Sequence, residues 1–248
     1  MMSWFQSSFD SAAPPGTRVY AIGDIHGQLE RLRTLRESIV EDAEGAPEER
    51  RVVVHVGDYV DRGPDSRGVL DLLIDEPLAG FDSFFLKGNH EDFMLRFLEG
   101  EIEAGASWFA NGGDATLASY GIEGADPWPD FTQLIALQKA FAQAMPARHR
   151  RFLEALNLFH VEGDYAFVHA GVRPGIALEL QDPEDLMWIR EAFHGSSADH
   201  GHVIVHGHSV SSKPESKANR IGIDTGAGYG RSLTAVVLAG GERRFLQV

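Results

Sequence analysis

The chain has 248 residues, 43% hydrophobic and 10% aromatic, enough to bury one substantial core; a single domain over 1–248 is expected. A formal charge of −15 argues against a nucleic-acid or anionic-membrane surface, since both need clustered Lys and Arg. No apolar run approaches the ~18 residues needed to span a bilayer, no basic segment leads into an apolar one at the N-terminus, and a cytoplasmic protein is expected.

After a lead-in of about fifteen residues, short β-branched or aromatic runs at 18–22, 51–56, 83–86, 165–168, 202–205 and 233–238 alternate with segments of helical periodicity, an α/β layout. Leu29, Leu32, Leu35, Ile39 and Val40 recur at the steps of one helix face that Gly45-Ala46-Pro47 terminates, and such a stripe is core. Residues from about 101 to 151 are mostly helical in pattern around a loop at 108–113, and form a helical insertion expected to shape access to any site, with Trp108 as its contact. A β pattern resumes at Leu158, and Thr225-Gly226-Ala227-Gly228 reads as a turn.

Three strand-like runs end in clusters of metal-ligand residue types: Gly23-Asp24-Ile25-His26-Gly27, Gly57-Asp58-Tyr59-Val60-Asp61-Arg62-Gly63 and Gly88-Asn89-His90-Glu91. Two more follow, Val168-His169-Ala170-Gly171 and His206-Gly207-His208. Ligands in open α/β sheets gather at the carboxyl ends of strands, so separate segments converge on one place. A lone Asp-x-His is ordinarily a turn and a lone Asn-His a helix cap. Five such clusters in order, each at a strand end, are not coincidence. With no cysteine in the chain, His, Asp, Glu, Asn or backbone oxygen must hold any metal.

The ordered series GDIHG, GDYVDRG, GNHE, HAG and GH resembles the calcineurin-like metallophosphoesterase superfamily, and within it the bacterial phosphoprotein phosphatases related to the bacteriophage lambda serine/threonine phosphatase. The likeness runs from about Val19 to Leu238. It implies a four-layer α/β sandwich of two mixed sheets face to face with helices outside. It also implies two divalent cations, Mn²⁺ foremost with Fe or Zn²⁺ as alternatives. Asp24 and His26 would hold the first, Asp58 would bridge both, and Asn89, His169 and His208 would hold the second. Such a pair activates a bridging hydroxide and neutralises phosphoryl oxygens. By the same resemblance Asp61 orients His90 to protonate the departing alkoxide, and the phosphate is bound by Arg62, by Asn89 and by a second arginine, best matched by Arg190.

His206 is expected to pack or hydrogen-bond behind the ligands, because His208 is the residue that follows the glycine in the GH motif. Many relatives outside the phosphoprotein branch carry GHxH; here that last position is Val210, which leaves the first metal a thinner protein shell. His55, His149, His160, His194 and His200 have no motif around them and read as core or surface residues. No P-loop lysine follows Gly226, Gly228 and Gly230, so they mark a turn, one that by family likeness brings Tyr229 near substrate.

The function implied is hydrolysis of phosphoserine and phosphothreonine, with phosphotyrosine a further candidate, on a phosphoprotein or phosphopeptide. A dinucleoside polyphosphate hydrolase carries a similar motif series. In its symmetrical group the Asp-Arg pair is generally not kept, whereas Asp61-Arg62 stands here. A non-enzymatic module on a decayed site would normally have lost a ligand or the acid, and all eight family positions from Asp24 to His208 are filled.

Overall fold

The computed structural model describes residues 11–126 and 128–248, which leaves most of the expected lead-in outside the described residues. In chain order come β1 (Thr17–Ile22), α1 (Leu29–Glu44), β2 (Arg50–His55), α2 (Ser66–Asp75), β3 (Asp82–Phe85) and α3 (Asn89–Leu98). Four helices follow: α4 (Ile102–Ala110), α5 (Gly113–Ser119), α6 (Phe131–Ala144) and α7 (Ala147–Glu154). The remainder is β4 (Phe159–Glu162), β5 (Tyr165–Val168), α8 (Pro183–Trp188), α9 (Glu191–His194), β6 (Val203–His206), β7 (Glu215–Ser216), β8 (Arg220–Gly222), β9 (Thr234–Ala239) and β10 (Glu242–Gln247).

Two five-stranded sheets form, in the orders β10-β9-β1-β2-β3 and β4-β5-β6-β8-β7. Both are mixed. In the first, β1, β2 and β3 run parallel and β9 antiparallel to β1; in the second, β5, β6 and β8 run parallel and β4 and β7 antiparallel to their neighbours.

Alternation along the strands separates the layers. Val19, Ala21, Val52 and Val54 face inward and pack with Phe167, Val203, Val205 and Ile221 of the second sheet. Tyr20, Ile22 and Val53 face outward beneath Leu32, Leu35 and Ile39 of α1 and the helices that follow. Ala166, Val168 and Ile204 turn the other way, under Leu186 of α8 and Phe193 of α9. Helix, sheet, sheet and helix are therefore stacked in four layers, as the resemblance implied. Among the described residues no helix is long and apolar enough to cross a membrane.

Two local expectations change. Trp108 to Ala110 complete α4 rather than lying in a loop; the chain turns only at Asn111-Gly112, where Gly112 takes φ +96° and α5 begins at once. The turn after Thr225 closes into a single 3-10 turn, Ala227–Tyr229, between two left-handed glycines. Elsewhere the six expected strands agree to within a residue at each end.

Candidate metal centre

Each cluster sits immediately past a strand. The loop after β1 carries Asp24 and His26, and that after β2 carries Asp58, Asp61 and Arg62. Asn89 opens α3 beyond β3, His169 follows β5 and His208 follows β6. The loops are bent hard. Among the described residues, the non-glycines with positive φ are His26 (47°), Asp58 (54°), Asp61 (73°), Arg62 (65°) and His208 (61°), all site candidates. Such backbone costs of order 1–3 kcal/mol per residue and persists only where its surroundings over-determine it. Close approach adds to the constraint: a Cβ on Gly207 would collide with the Asp24 carboxylate.

The polar atoms that meet here are mostly acceptors. His169 Nδ1 lies 2.9 Å from the Val56 carbonyl, so the ring proton is there and Nε2 presents a lone pair. That Nε2 is 2.9 Å from Asn89 Oδ1 and 3.4 Å from Asp58 Oδ1, acceptors facing an acceptor. His26 repeats the pattern, with Nδ1 donating to the Val60 carbonyl at 2.8 Å and Nε2 3.5 Å from Asp58 Oδ2. His208 Nδ1 is 2.8 Å from Asn89 Oδ1, and its buried Nε2 has no hydrogen-bond partner among the described residues. Lone pairs that outnumber the donors around them call for cations. The ligand atoms of His26, Asp58 and His90 lie within 4.8 Å of one another, as do those of Asp58, His169 and His208, so Asp58 is common to both groups. These imidazole, carboxylate and amide donors fit first-row divalent ions.

Arg62 already supplies one positive charge. Its Nη1 is 2.6 Å from His26 Nε2 and its Nη2 3.0 Å from His90 Nε2. A guanidinium can only donate, so both imidazoles offer it lone pairs.

Electrostatics divides the histidines by role. Burial, then repulsion from His90, holds His26 well below the usual imidazole range, and burial lowers His169. Burial and His169 bring His208 to about 2. All three rings are thus neutral near pH 7, as ligation requires. His90 differs. Burial alone would lower it, but Asp58 and its hydrogen-bonded partner Asp61 prevail and raise it. His90 is thus displaced upward where His26, His169 and His208 are displaced downward.

Asp61 Oδ2 lies 2.6 Å from His90 Nδ1. Fully buried itself, it also accepts from Trp108 Nε1 at 2.9 Å and Thr116 Oγ1 at 2.6 Å. This corrects the reading of Trp108 as a substrate contact. The indole is completely buried, tilted against Phe97 and stacked on Phe141, and its N–H holds the carboxylate that holds His90. The helical segment does reach the rim elsewhere. Arg62 N donates to the Gly112 carbonyl, and a cleft of about 270 Å³ is lined by Arg62, Ala110, Asn111, Gly112, Gly228 and Tyr229. Tyr229 is exposed there, with the Arg62 guanidinium 4.9 Å above its ring.

Arg190 is exposed, its Nη1 3.4 Å from Ser209 Oγ, one residue past His208, and its charge adds to the burial that depresses His169 and His208. His206 turns away from them and packs against Phe193 and His194. Asp24 accepts from the backbone N–H of His208 and lies against Asp224, which together with burial raises its pKa well above the carboxylate norm.

Besides Thr116, two acids escaped sequence reasoning. Buried Glu91 accepts from the backbone N–H groups of Asp58 (2.9 Å), Tyr59 (2.8 Å) and Gly88 (2.9 Å), tying the Asp58 loop to the start of α3; burial and Asp58 push it up to about 8. The signal was its place in GNHE. Asp224, beside Asp24, stood in a stretch that read only as a turn.

A donor-starved pocket of imidazole and carboxylate, built on strand ends of a four-layer sandwich, defines a metal-dependent phosphoesterase. The chain belongs to the calcineurin-like phosphoesterase family, whose model matches residues 17–233. It is 31% identical to serine/threonine-protein phosphatase 1 of Salmonella typhimurium over 87% of this chain and 89% of that one. It is 27% identical to the asymmetrical bis(5'-nucleosyl)-tetraphosphatase PrpE of Bacillus thuringiensis, covering 87% and 88%. Among solved structures, the cold-active protein-tyrosine phosphatase of a psychrophilic Shewanella superposes with TM-score 0.58 at 18% identity, covering 99% and 87%. A metallophosphoesterase from Sphaerobacter thermophilus gives 0.53 at 18%, covering 94% and 88%.

Asp58→Asn is expected to abolish turnover and reduce bound metal, because Asp58 is the one anion common to both ligand groups; metal analysis after dialysis checks this. Trp108→Phe keeps an aromatic ring but deletes the N–H donor to a buried carboxylate together with part of the indole. It should cost at least about 1–3 kcal/mol in denaturant unfolding and slow phosphoester hydrolysis through Asp61; lost stability with unchanged hydrolysis would reduce Trp108 to packing.

Proposed function

We propose that the protein is a phosphoprotein phosphatase acting on phosphoserine and phosphothreonine monoesters. Asp24, His26, Asp58, Asn89, His169 and His208 would hold two divalent ions. When bound, such ions lower the pKa of water and neutralise phosphoryl charge. The residues of the chain do the rest. Arg62 and Arg190 bind and orient the phosphate, since planar guanidinium forks match pairs of phosphoryl oxygens. With Arg62 engaged by the phosphate, His90 Nε2 is released to take a proton from solvent, and His26 Nε2 would be free to hold an ion. His90 then delivers that proton to the leaving oxygen, held in line by Asp61, Trp108 and Thr116.

The observation that carries this reading is the 2.6 Å contact between His90 and Asp61, buried and braced from a distant helix. A positioned acid matters in proportion to how badly the leaving group needs a proton. A serine alkoxide needs one strongly; a nucleotide leaving from a phosphoanhydride needs one little.

Hydrolysis of dinucleoside polyphosphates is the second reading, favoured by the likeness to PrpE and by exposed Tyr229, a face on which a base could stack. The Asp61-Arg62 pair argues only against the symmetrical enzymes, and this relative is asymmetrical. Phosphopeptides and diadenosine tetraphosphate assayed side by side on metal-loaded protein decide between them. Higher kcat/KM on phosphopeptide is expected, and the reverse order would overturn the proposal.

His90→Asn should cost roughly 10²–10⁴-fold on phosphoserine peptides and distinctly less on p-nitrophenyl phosphate, whose leaving group departs unaided. Asp61→Asn should show the same selectivity more mildly, and the double variant should be little worse than His90→Asn, because residues acting as one unit are not additive. The sign of the pH effect follows from the proton's role. Protonated His90 is the active acid, so phosphoserine hydrolysis falls as pH rises through its raised pKa. Removing the Asp61 charge should move that basic limb to lower pH. Equal losses on both substrates with unchanged metal content would withdraw the acid role.

A further inference from the structure

We propose that His194, His206 and Glu215 form a further divalent-cation site, suited to an ion of the Zn²⁺ or Co²⁺ type and separate from the candidate catalytic centre. Strand register builds it. His206 on β6 and Glu215 on β7 are both register partners of Gly222 on the intervening strand β8. Register partners project to the same face, so two ligand-type side chains flank a residue that has none. A Cβ on Gly222 would lie 3.3 Å from His206 Nε2 and 3.6 Å from Glu215 Cβ, and the glycine leaves that gap open. His194, the last residue of α9, reaches it from the layer outside the sheet. The three ligand atoms all lie within 4.8 Å of one another.

The state of His206 is a second, independent observation. The residue is 1% exposed, and its Nδ1 lies 3.0 Å from the Gly207 carbonyl, which can only accept. The proton is therefore on Nδ1. Nε2 carries a lone pair with no hydrogen-bond partner among the described residues, and the rings of Phe193 and His194 pack in T-shaped fashion on the imidazole with centroids 5.1 and 5.3 Å away. A neutral imidazole whose other nitrogen is fixed by a carbonyl is oriented as metal ligands are. Two imidazoles and one carboxylate form a three-ligand zinc set with room for water, and nitrogen donors select against Mg²⁺ and Ca²⁺.

Neighbouring charge tempers the affinity. Glu215 pairs with Lys217 Nζ at 2.6 Å and Arg220 Nε at 2.9 Å. Arg220 is buried and donates to the carbonyls of His194 and Ser196, whereas Lys217 is half exposed and can swing into solvent. The incoming ion competes with that ammonium. Ser209 Oγ, 2.8 Å from His194 Nε2 and 3.4 Å from Arg190 Nη1, joins the site to the rim of the catalytic centre.

The test counts metal and does not depend on catalysis. Full-length protein loaded with Mn²⁺ is titrated with Co²⁺ by equilibrium dialysis, reading bound metal by mass spectrometry and ligand field by visible absorption. Wild type should take up one equivalent of Co²⁺ that Glu215→Gln and His206→Gln bind at least roughly 10–100-fold more weakly, the range seen when even a supporting group is lost. Lys217→Met should bind it more tightly than wild type. If His206→Gln does not fold, Glu215→Gln on the edge strand and Lys217→Met still decide. Equal stoichiometry and affinity in wild type, Glu215→Gln and Lys217→Met would overturn the site.

Discussion

Five carboxyl groups, those of Asp24, Asp58, Asp61, Glu91 and Asp224, are buried together at the strand ends, and the rest of the structure answers to them. A buried charge is tolerated only when it is paired, hydrogen-bonded or given a metal. Each acid is handled differently. Glu91 is wrapped in backbone N–H groups, Asp61 takes an indole, a hydroxyl and an imidazole, and Asp24 takes the His208 amide and shares its surroundings with Asp224. Asp58 stands among His26, His90 and His169, which face it with nitrogens rather than with fixed positive charge. The unmet demand is for cations. Cations held here would let a chain of net charge −15 attract a phosphate: the repulsion is global, the positive charge would be local.

Backbone strain is the other side of the same constraint. Five non-glycine residues accept left-handed conformations because the turns that aim their side chains inward leave no gentler path. What holds those turns lies partly outside them. Arg62 is anchored to Gly112, and Asp61 to Trp108 and Thr116, all in the helical segment that follows the third cluster. The segment thus contributes to the site from behind as well as at its rim. It joins the His90–Asp61 pair to the helical core through the Trp108 and Phe141 stack.

The sheets and the five clusters were legible because their causes are local. Unbroken apolar runs in β1 and β2 mark strands buried on both faces, and glycines beside Asp24, Asp58 and Asn89 mark turns beyond strand ends. Likewise the separation of His208 from His206 follows from one glycine between them. Trp108 was misread for the opposite reason: an aromatic residue near a Gly-Gly pair looks exposed, and nothing nearby reveals a carboxylate 47 residues away in sequence that requires its N–H.

The sequence by itself determined the family, the two-sheet architecture and the types of ligand, since these depend on residue identity at short spacing. Only the tertiary structure decided which acids share a charge, which histidines stay neutral and which one is held toward protonation. Those are properties of burial and of neighbours brought from other segments. Register belongs there too: that His206 and Glu215 meet across Gly222 depends on the pairing of three strands, and a shift of one residue would turn each of those side chains to the opposite face.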